Sequence, residues 1–383
     1  MNARLIVVSL LPGDGPTGVE THFNQIRVAV SARDIATELV MPHGGWSLER
    51  KVANVIARTL RHIDVETSIL WTRWTSYHCL VRRLRRALSN AAPTATVLYA
   101  QDPLSAKAAL AIRAELGCRV VAVVHFNVSE AHEMVDKGLC KSGSRLWRAL
   151  MTTEAQNLPF VDQLIFVSDF MRQQVEQRLP GISTASLVIP NFPGEPKAAP
   201  IEETVTGDLI AIGTLEPRKN QQFLLHVIAA CKKFGSRYTL TIVGDGPDRN
   251  QLETLAQNLA IGEQVRFLGF RRNAATLIPG HKVVVHAALL ENLPITLVEA
   301  LAYGQPVIAA PVGGIPEVFS DGIEGRYWDL ADVDGAARIV IATLSDALLL
   351  QQMSTAAKAT YQGKFERTKL ANIWTNCITG RST

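Results

Sequence analysis

Apolar positions follow two alternating patterns along most of this chain: short continuous runs, and stretches in which they recur every three or four residues. The short runs, rich in Val, Ile and Leu, predict buried strands, and the recurrent spacing predicts helices. The predicted strands are residues 5–10, 37–41, 97–100, 120–124, 164–167 and 187–189 and, further on, 209–212, 239–243, 265–268, 283–286 and 307–309. Because strands and helices alternate, we predict parallel sheets covered by helices, an α/β fold.

The alternation is interrupted once, by a segment rich in Pro, Glu and Gly that shows no periodicity. We interpret residues 191–207 as a linker between two doubly wound domains, residues 1–190 and 208–360, that face a central cleft. The tail, residues 361–383, has apolar positions at helical spacing. It is predicted to form a helix that packs on a surface, and the first domain is one candidate for its partner.

The totals restrict the class of protein. The chain has 383 residues, of which 47% are apolar and 19% charged, and its net charge is +4. This small charge does not indicate nucleic acid, and we predict no nucleic-acid partner. Five scattered cysteines without a C-x-x-C pair favour a reducing compartment and indicate neither a zinc site nor a disulfide framework. Since no leader pattern and no long apolar run are found, we expect a cytoplasmic protein.

The most informative segment is residues 282–304, in which a β-branched run, a Pro-containing turn and a helical pattern follow one another. Parallel sheets bind ligands at the carboxyl ends of their strands, where a helix N-terminus also attracts anions. A carboxylate there would repel a phosphate and suits hydroxyl groups, so we predict a sugar at Glu291 and a ribose at Glu299. Glu195 and Glu203 share this spacing within the linker, so the strand–turn–helix context carries the prediction.

A second turn, residues 213–220, follows the predicted strand 209–212 and reads GTLEPRKN. Its adjacent cations, Arg218 and Lys219, precede a predicted helix whose first N–H groups have no partner within the helix. Two cations beside such donors suit a diphosphate, because both interact with its negative charge. We therefore predict a diphosphate site at this turn.

A glycine-rich turn follows the first predicted strand. Gly13, Gly15 and Gly18 fit the spacing G-x-G-x-x-G, which lets the backbone approach a ligand closely. A dinucleotide site also requires an acidic residue about twenty positions later. Glu38 stands near that distance but inside the second predicted strand. A dinucleotide site, another ligand site and a plain tight turn are therefore all open interpretations.

His125 directly follows the predicted strand 120–124 and would lie at the carboxyl end of the first sheet. From there it could hydrogen-bond a substrate hydroxyl or change its charge near neutral pH. The alternative is a packed histidine whose ring nitrogens are both satisfied inside the protein.

Residues 67–101 contain no Asp or Glu, and their arginines are interspersed with Trp, Tyr and Leu. A basic amphipathic helix with aromatic residues is typical of segments that bind an anionic membrane surface. The alternative is an ordinary helix with a solvated basic face. The arginines concerned are Arg73, Arg82, Arg83, Arg85 and Arg86.

Taken together, several segments resemble the retaining glycosyltransferases of family GT4, which have the GT-B fold of two Rossmann-like domains. The segments IGTLEPRKN, IVGDGPDRNQLETLA, VRFLGF and ALLENLPITLVEALAYGQPVIAAPVGGIPEVFSDGIEG occur in the family's order and spacing. Earlier in the chain, GPTGVETHF, YAQDPLSA, VVHFN, FVSDFM and VIPNF resemble its N-terminal landmarks. The resemblance covers most of the chain and is strongest over residues 208–328.

This resemblance implies a role for each matching residue. Glu291 would bind the donor sugar and Glu299 the nucleotide ribose, while His125 would contact the sugar near its reacting carbon. Gly18 would approach the donor phosphate from the other domain. The implied catalytic residues are His125, Arg218, Lys219 and Glu291, and the implied donor-binding residues are Gly18, Thr214, Asn292, Ile295, Thr296 and Glu299.

Three places depart from the family pattern. Thr214 stands where the family usually has Arg, so Arg218 is the candidate for that diphosphate contact. Asn292 and Pro294 stand where the family has the two glycines of Gly-Phe-Gly, and Pro294 lacks a backbone donor. Thr17 replaces the first of two family glycines.

The function implied by the resemblance is that of a hexosyltransferase that needs no metal or other cofactor. It would move a sugar from a nucleotide-diphosphate donor to an acceptor hydroxyl with retained anomeric configuration. Combined with the basic segment, this indicates a saccharide or lipid-linked acceptor, a role in cell-surface polysaccharide or glycolipid synthesis, and a peripheral position on the cytoplasmic membrane face. Two alternatives are a sugar-nucleotide epimerase on the same fold and a non-catalytic two-lobed ligand-binding protein, which the cationic pair disfavours.

Overall fold

A computed structural model describes residues 4–13, 15, 18–42, 48–89, 96–180, 182, 186–194 and 205–380. The chain forms two compact units, Met1–Pro190 with Thr368–Thr383, and Asn191–Arg367. Glu195, Glu203 and most of the predicted linker lie outside the described residues, as does Thr17. Among the helices that are described, none is long and apolar enough to cross a membrane.

The first unit alternates strands and helices. In chain order they are β1 (Arg4–Val8), α1 (Gly18–Ser31), β2 (Ala36–Val40), α2 (Leu48–Ile63), α3 (Val65–Leu88), β3 (Thr96–Ala100), α4 (Pro103–Leu116), β4 (Arg119–Val124), α5 (Glu130–Asp136), α6 (Arg145–Asn157), β5 (Gln163–Phe166), α7 (Asp169–Arg178) and β6 (Ser186–Val188). The strands form one parallel sheet in the order β2-β1-β3-β4-β5-β6. The central strands are buried along nearly their whole length, as expected of a parallel sheet covered on both faces.

Side-chain oxygens determine where several helices of the first unit begin. Each accepts a hydrogen bond from a backbone N–H in the first turn, and so satisfies one donor that the helix itself leaves without a partner. These N-cap residues are Asp64 of α3, Asp102 of α4, Ser129 of α5, Ser144 of α6 and Ser168 of α7. Because α4, α5 and α7 each follow a strand, three of these caps lie near the carboxyl edge of the sheet.

The second unit has the same architecture. Its elements are β7 (Gly207–Ile212), α8 (Gln221–Lys233), β8 (Leu240–Val243), α9 (Arg249–Asn258), β9 (Val265–Phe267), β10 (His281–His286), α10 (Ile295–Tyr303), β11 (Val307–Ala309), β12 (Gly325–Tyr327), α11 (Val333–Ser345) and α12 (Ala347–Thr360), and the last helix described is α13 (Arg367–Thr379). The strands pair in parallel in the order β12-β11-β10-β7-β8-β9. The predicted α/β class with two parallel sheets is therefore confirmed.

Each predicted strand is present, with its bounds shifted by at most two residues. One strand, β12, was not predicted. Its three residues read Gly-Arg-Tyr, and only the glycine is fully buried, so no apolar run marks it. Its pairing with β11 comes from the fold of the chain around it.

The helix α13 packs on the first unit, although it follows the second unit in sequence. Trp374 is fully buried, and its indole Nε1–H donates to the carbonyl oxygen of Pro190 at 3.0 Å. Arg119, the first residue of β4, donates from Nη1 to the carbonyl oxygens of Cys377 and Ile378 at 3.0 and 2.9 Å. These bonds satisfy carbonyls at the end of the helix, where the helix itself offers no donors.

Candidate active site

The strand order of the second sheet brings two functional turns together. β7 and β10 are neighbours, so the turns that follow them leave the sheet side by side. Two hydrogen bonds join these turns: the Leu289 N–H donates to the Arg218 carbonyl at 2.9 Å, and Arg218 Nη1 donates to the Leu290 carbonyl at 3.0 Å. The predicted diphosphate turn and the predicted sugar-binding turn are thus adjacent.

Glu291 is the centre of this arrangement. Its carboxylate is buried, and Oε1 contacts the Lys219 ammonium, Arg218 Nη1 at 3.4 Å and His286 Nε2 at 3.1 Å. Burial alone would raise the pKa of Glu291, but Lys219, with His286 and Arg218, outweighs burial and holds that pKa well below its usual range. Glu291 is therefore ionised, with its charge balanced by its neighbours.

His286, the last residue of β10, is a member of this cluster that we did not predict. Burial lowers its pKa, against the opposing effect of Glu291, so the imidazole is neutral near pH 7. Because ionised Glu291 can only accept, the hydrogen on His286 must be on Nε2. The available signal was its position at the carboxyl end of a strand, the same position that singled out His125.

Gly313 packs closely against the backbone of Glu291. Gly313 has φ +58°, and a Cβ there would lie 1.8 Å from the Glu291 carbonyl oxygen, so no other residue fits without displacing the turn. The next residue, Gly314, donates its N–H to the same carbonyl at 3.0 Å. Contacts with neighbouring residues therefore fix the position of both the backbone and the side chain of Glu291.

The Arg218 guanidinium has fewer donors left for a ligand, because it already makes several contacts within the protein. Its guanidinium donates to Glu216 at 2.8 Å as well as to the Leu290 carbonyl. Thr214 is exposed, and its carbonyl accepts from Gln221 at 2.8 Å. The Arg218 charge is therefore shared with Glu216 before any ligand arrives, and a diphosphate contact from Arg218 stays a prediction.

The remaining predicted donor-binding residues lie on or just before α10. Ile295 and Thr296 form its first turn, and Asn292 is buried just before it. Pro294 occupies the N-cap position of α10 with extended backbone. Glu299 lies one turn along the same face as Ile295 and Thr296, and burial raises its pKa to about 7.

In the first unit, His125 lies at the carboxyl end of β4 as predicted. Its Nε2 is 3.2 Å from Oε1 of Gln101, which follows the neighbouring strand β3. Burial lowers the pKa of His125 to about 3, so its imidazole is neutral at physiological pH. A change of charge near pH 7, one of the two roles considered above, is therefore not available to this residue.

His22, which contacts His125, and two residues that contact His22 form a cluster that we did not predict. His22 of α1 packs edge-on against the His125 ring, with centroids 4.9 Å apart, and its Nε2 lies 2.7 Å from the Tyr99 hydroxyl. The indole of Trp374 packs on the other side of His22, at 4.6 Å between centroids. These side chains come from α1, β3 and α13. His22 and Tyr99 stand in the segments GPTGVETHF and YAQDPLSA, but only the fold brings them together with Trp374.

The glycine-rich turn of the first unit is filled by the protein's own carboxylate. The N–H groups of Gly13 and Gly15 both donate to Oε1 of buried Glu20, at 3.1 Å each. A Cβ on Gly15 would lie 2.3 Å from that carboxylate, which explains the glycine. Glu38, required for the dinucleotide interpretation, instead forms an ion pair with Arg4. The structure thus adds no support for a dinucleotide site, and Gly18 is the exposed first residue of α1.

The basic segment is only partly a free surface. Arg73, predicted to face a membrane, forms a mostly buried ion pair with Glu130, and Arg85 pairs with Glu115 on the surface. Arg82 and Arg86 are exposed, and Arg83 is half-buried. The prediction for Arg73 is therefore corrected: its charge is balanced inside the unit.

Comparison with known proteins supplies the family. Residues 200–360 match the family described as Glycosyl transferases group 1, and residues 16–192 match Glycosyltransferase Family 4. The chain belongs to the family 4 glycosyltransferases. This confirms the resemblance inferred from the sequence motifs, and each unit carries one of the two family signatures.

Relatives of this glycosyltransferase differ widely in what they are named for. N-acetyl-alpha-D-glucosaminyl L-malate synthase of Bacillus anthracis is 34% identical over 133 residues, which is 35% of each chain. A GDP-mannose-dependent alpha-(1-6)-phosphatidylinositol monomannoside mannosyltransferase of Mycolicibacterium smegmatis is 30% identical over 161 residues, 39% of this chain and 42% of the relative. The matched stretch is thus less than half the length of either relative.

The crystal structure of Anabaena HepE in complex with UDP has a TM-score of 0.72 to this glycosyltransferase. It is 16% identical and covers 98% of this chain and 100% of its own. This likeness confirms the GT-B fold. Of the predicted site residues, Arg218, Lys219 and Glu291 meet in the second unit, and Gly18 and His125 lie in the first.

Proposed function

We propose that this protein transfers a hexosyl group from a nucleoside diphosphate sugar to an acceptor hydroxyl, with retained anomeric configuration. The observation that supports this most is the buried Glu291 carboxylate, held by Lys219, Arg218 and His286 at the start of α10. A buried, ionised carboxylate suits sugar hydroxyls, which donate to it. The cations next to it suit the diphosphate attached to that sugar.

The difficult part of this reaction is the departure of the diphosphate. The bond between the anomeric carbon and the diphosphate oxygen breaks while a bond to the acceptor oxygen forms on the same face of the sugar. The acceptor proton passes to the leaving diphosphate. Lys219, Arg218 and the N–H groups of Ile295 and Thr296 are placed to stabilise the negative charge that develops on the leaving group.

His125 contributes as a neutral group in this proposal. With its pKa lowered to about 3, it hydrogen-bonds a sugar hydroxyl and does not act as a cation or as a proton donor. Glu299 would accept hydrogen bonds from the ribose, and Asn292 and Thr214 would complete the donor site. Gly18 would offer its backbone to the donor phosphate. The reaction is expected to need no metal.

The acceptor is proposed to be a saccharide or a lipid-linked saccharide, used at the cytoplasmic membrane face for cell-surface polysaccharide or glycolipid synthesis. Two observations support it: the exposed cations Arg82 and Arg86 on α3, and a relative named for its action on a phosphatidylinositol mannoside. An anionic membrane surface attracts such cations.

The test is a panel of nucleotide sugars, first screened by thermal shift and then assayed with and without acceptors. A bound donor raises the melting temperature, because it stabilises the folded state. We expect one donor to give a shift and to be consumed only in the presence of an acceptor. Glu291→Ala should abolish turnover, whereas Glu263→Ala, at an exposed position of the same unit, should not.

Other outcomes would reject the proposal. Conversion of the nucleotide sugar without any acceptor would indicate an epimerase. Tight donor binding without turnover across a broad acceptor panel would indicate a two-lobed binding protein. Inversion of the anomeric configuration, read by NMR on the product, would contradict retention alone.

A further inference from the structure

A cavity in the first unit lies among α2, α3, α4 and α6, and it has no role in the site described above. It measures about 700 Å³, within the range typical of small-molecule sites, and is open to solvent. We call it the aromatic pocket. Its wall includes Ile56 and Leu60 of α2 and Leu70, Trp71, Trp74 and Tyr77 of α3.

The aromatic pocket leaves large apolar side chains in contact with water. The rings of Trp71 and Trp74 stack with centroids 5.4 Å apart, yet Trp74 is 56% exposed. Nearby on α2, the side chains of Val52, Val55 and Ile63 are 51%, 61% and 79% exposed. Large apolar side chains that contact water beside a cavity indicate a binding surface, because their exposure is unfavourable.

The polar groups of the aromatic pocket are few. Besides aliphatic and aromatic side chains, the wall includes Thr67, Thr153, Lys107 and Arg73. The Arg73 charge is already balanced by Glu130. A saccharide needs many hydrogen-bond partners when it leaves water, and this wall offers few, whereas a hydrocarbon chain needs none.

The helices α2 and α3, which form much of this wall, carry an excess of positive charge. Residues 48–88 contain nine Lys and Arg against three Asp and Glu, a net charge of +6 in a chain whose total is +4. Lys107 is exposed at the wall, with Nζ 5.0 Å from the centroid of the Tyr77 ring. In the described part of the chain, no carboxylate lies within ion-pair distance of its ammonium. An anionic group beside the chain would therefore find a partner.

The aromatic pocket also adjoins the side of the sheet that carries His125. Leu104, in its wall, lies in the first turn of α4, three residues after Gln101, whose Oε1 lies near His125 Nε2. Glu130, the partner of Arg73, begins α5 only five residues after His125. An amphiphile in the pocket would thus have its polar end near the carboxyl edge of the sheet.

We propose that the aromatic pocket binds the hydrocarbon chain of an anionic lipid acceptor, with the anionic group of that lipid at Lys107. This rests on the proposed function, and it makes that function more specific, because it names the class of acceptor and where its chain lies. Aliphatic walls bind the chain by excluding water, and Lys107 provides the charge partner.

The test measures binding of dodecyl phosphate to the full chain below its micelle concentration, by isothermal titration. Ala149, on α6, lines the pocket, and Ala155, on the same helix, is exposed outside it. Ala149→Phe should fill the pocket and weaken binding by about tenfold or more, because the chain loses buried methylenes. Ala155→Phe, the same change on the same helix, should leave binding unchanged.

A second arm tests the charge. Lys107→Gln should weaken dodecyl phosphate by up to about fivefold, as expected for an exposed ion pair, and leave dodecanol binding unchanged. If Ala149→Phe lowers the melting temperature strongly, a second measurement takes the place of the titration with that variant: quenching of tryptophan fluorescence by a brominated alkyl phosphate. Quenching should be saturable in wild type and should fall in Trp74→Phe.

Three results would overturn the proposal. They are no saturable binding of dodecyl phosphate, equal binding by the Ala149→Phe and Ala155→Phe variants, and competition by a soluble oligosaccharide that shows a sugar in the pocket. The thermal shift with a nucleoside diphosphate reports on donor binding and involves no lipid. It therefore shows separately whether the donor site, and with it the proposed function, has failed.

Discussion

Both units have a six-stranded parallel sheet, and the carboxyl edges of the two sheets carry different chemistry. In the second unit, Glu291, Lys219 and Arg218 place full charges within a few ångströms of each other. In the first unit, the neutral imidazole of His125 packs against the ring of His22. The contrast matches the two halves of the proposed reaction, since the leaving diphosphate needs cations and the acceptor hydroxyl does not.

The two edges also use an internal glutamate differently. Glu20 accepts from the backbone N–H groups of Gly13 and Gly15, so it orders a turn. Glu291 instead draws Lys219 and Arg218 to one point. In the second unit, ordered cations would be available to bind a phosphate. In the first unit, the N–H groups of Gly13 and Gly15 already donate to Glu20.

The contrast between the two sheet edges is tested most directly by removing the cationic side chain of Lys219 from the second unit. Lys219→Ala should lower kcat/KM by roughly 100- to 1000-fold, because one preorganised donor to the leaving group is lost. Steady-state kinetics with a fixed acceptor measure this. Lys282→Ala, which removes an exposed lysine that pairs with Asp208 at the other end of β10, should leave kcat/KM unchanged. Equal losses in both variants would contradict a specific role.

The first unit's edge is tested by His125→Phe, which keeps the ring packing against His22 and removes the ring nitrogens. We expect kcat to fall by roughly 10- to 100-fold while donor affinity, measured by titration, is unchanged. The wild-type pH profile should show no limb from His125 between pH 5 and 8, because burial holds its pKa at about 3. A loss confined to donor affinity would show that the hydrogen bond from His125 to the sugar contributes to donor binding and not to the transition state.

The smallest effect concerns Glu299, whose folded-state pKa is raised to about 7 from 4.5. Below pH 4.5 the group is protonated whether the chain is folded or not. As pH rises from there to about 7, the unfolded state ionises first, so the free energy of unfolding falls. Glu299→Gln should remove this loss and gain roughly 1 to 2 kcal/mol above pH 7.

Thermal melts from pH 4 to 9 measure the Glu299 effect. The difference between Glu299→Gln and wild type should grow over the window from pH 4.5 to about 7 and then stay constant. Glu263→Gln is the matched control, because the side chain of Glu263 is 93% exposed. A difference that does not depend on pH would show that Glu299 ionises normally.

What the sequence could predict follows from how local each signal is. Arg218, Lys219 and Glu291 lie in turns directly after strands, and the order of parallel strands brings such turns together. His22, Tyr99 and Trp374 are far apart in the chain and meet only through packing, so no spacing marks them. The ion pair of Arg73 with Glu130 and the pairing of β12 with β11 also depend on the fold, and no local pattern predicts them.

The path of the chain between the units has a consequence for biosynthesis. The first unit is completed by α13, which the ribosome makes only after the whole second unit. Until then His22 lacks the indole of Trp374, and the Pro190 carbonyl lacks its donor. A nascent chain must therefore keep an apolar site open on its first folded half, while the second half is translated, before its own last helix can close it.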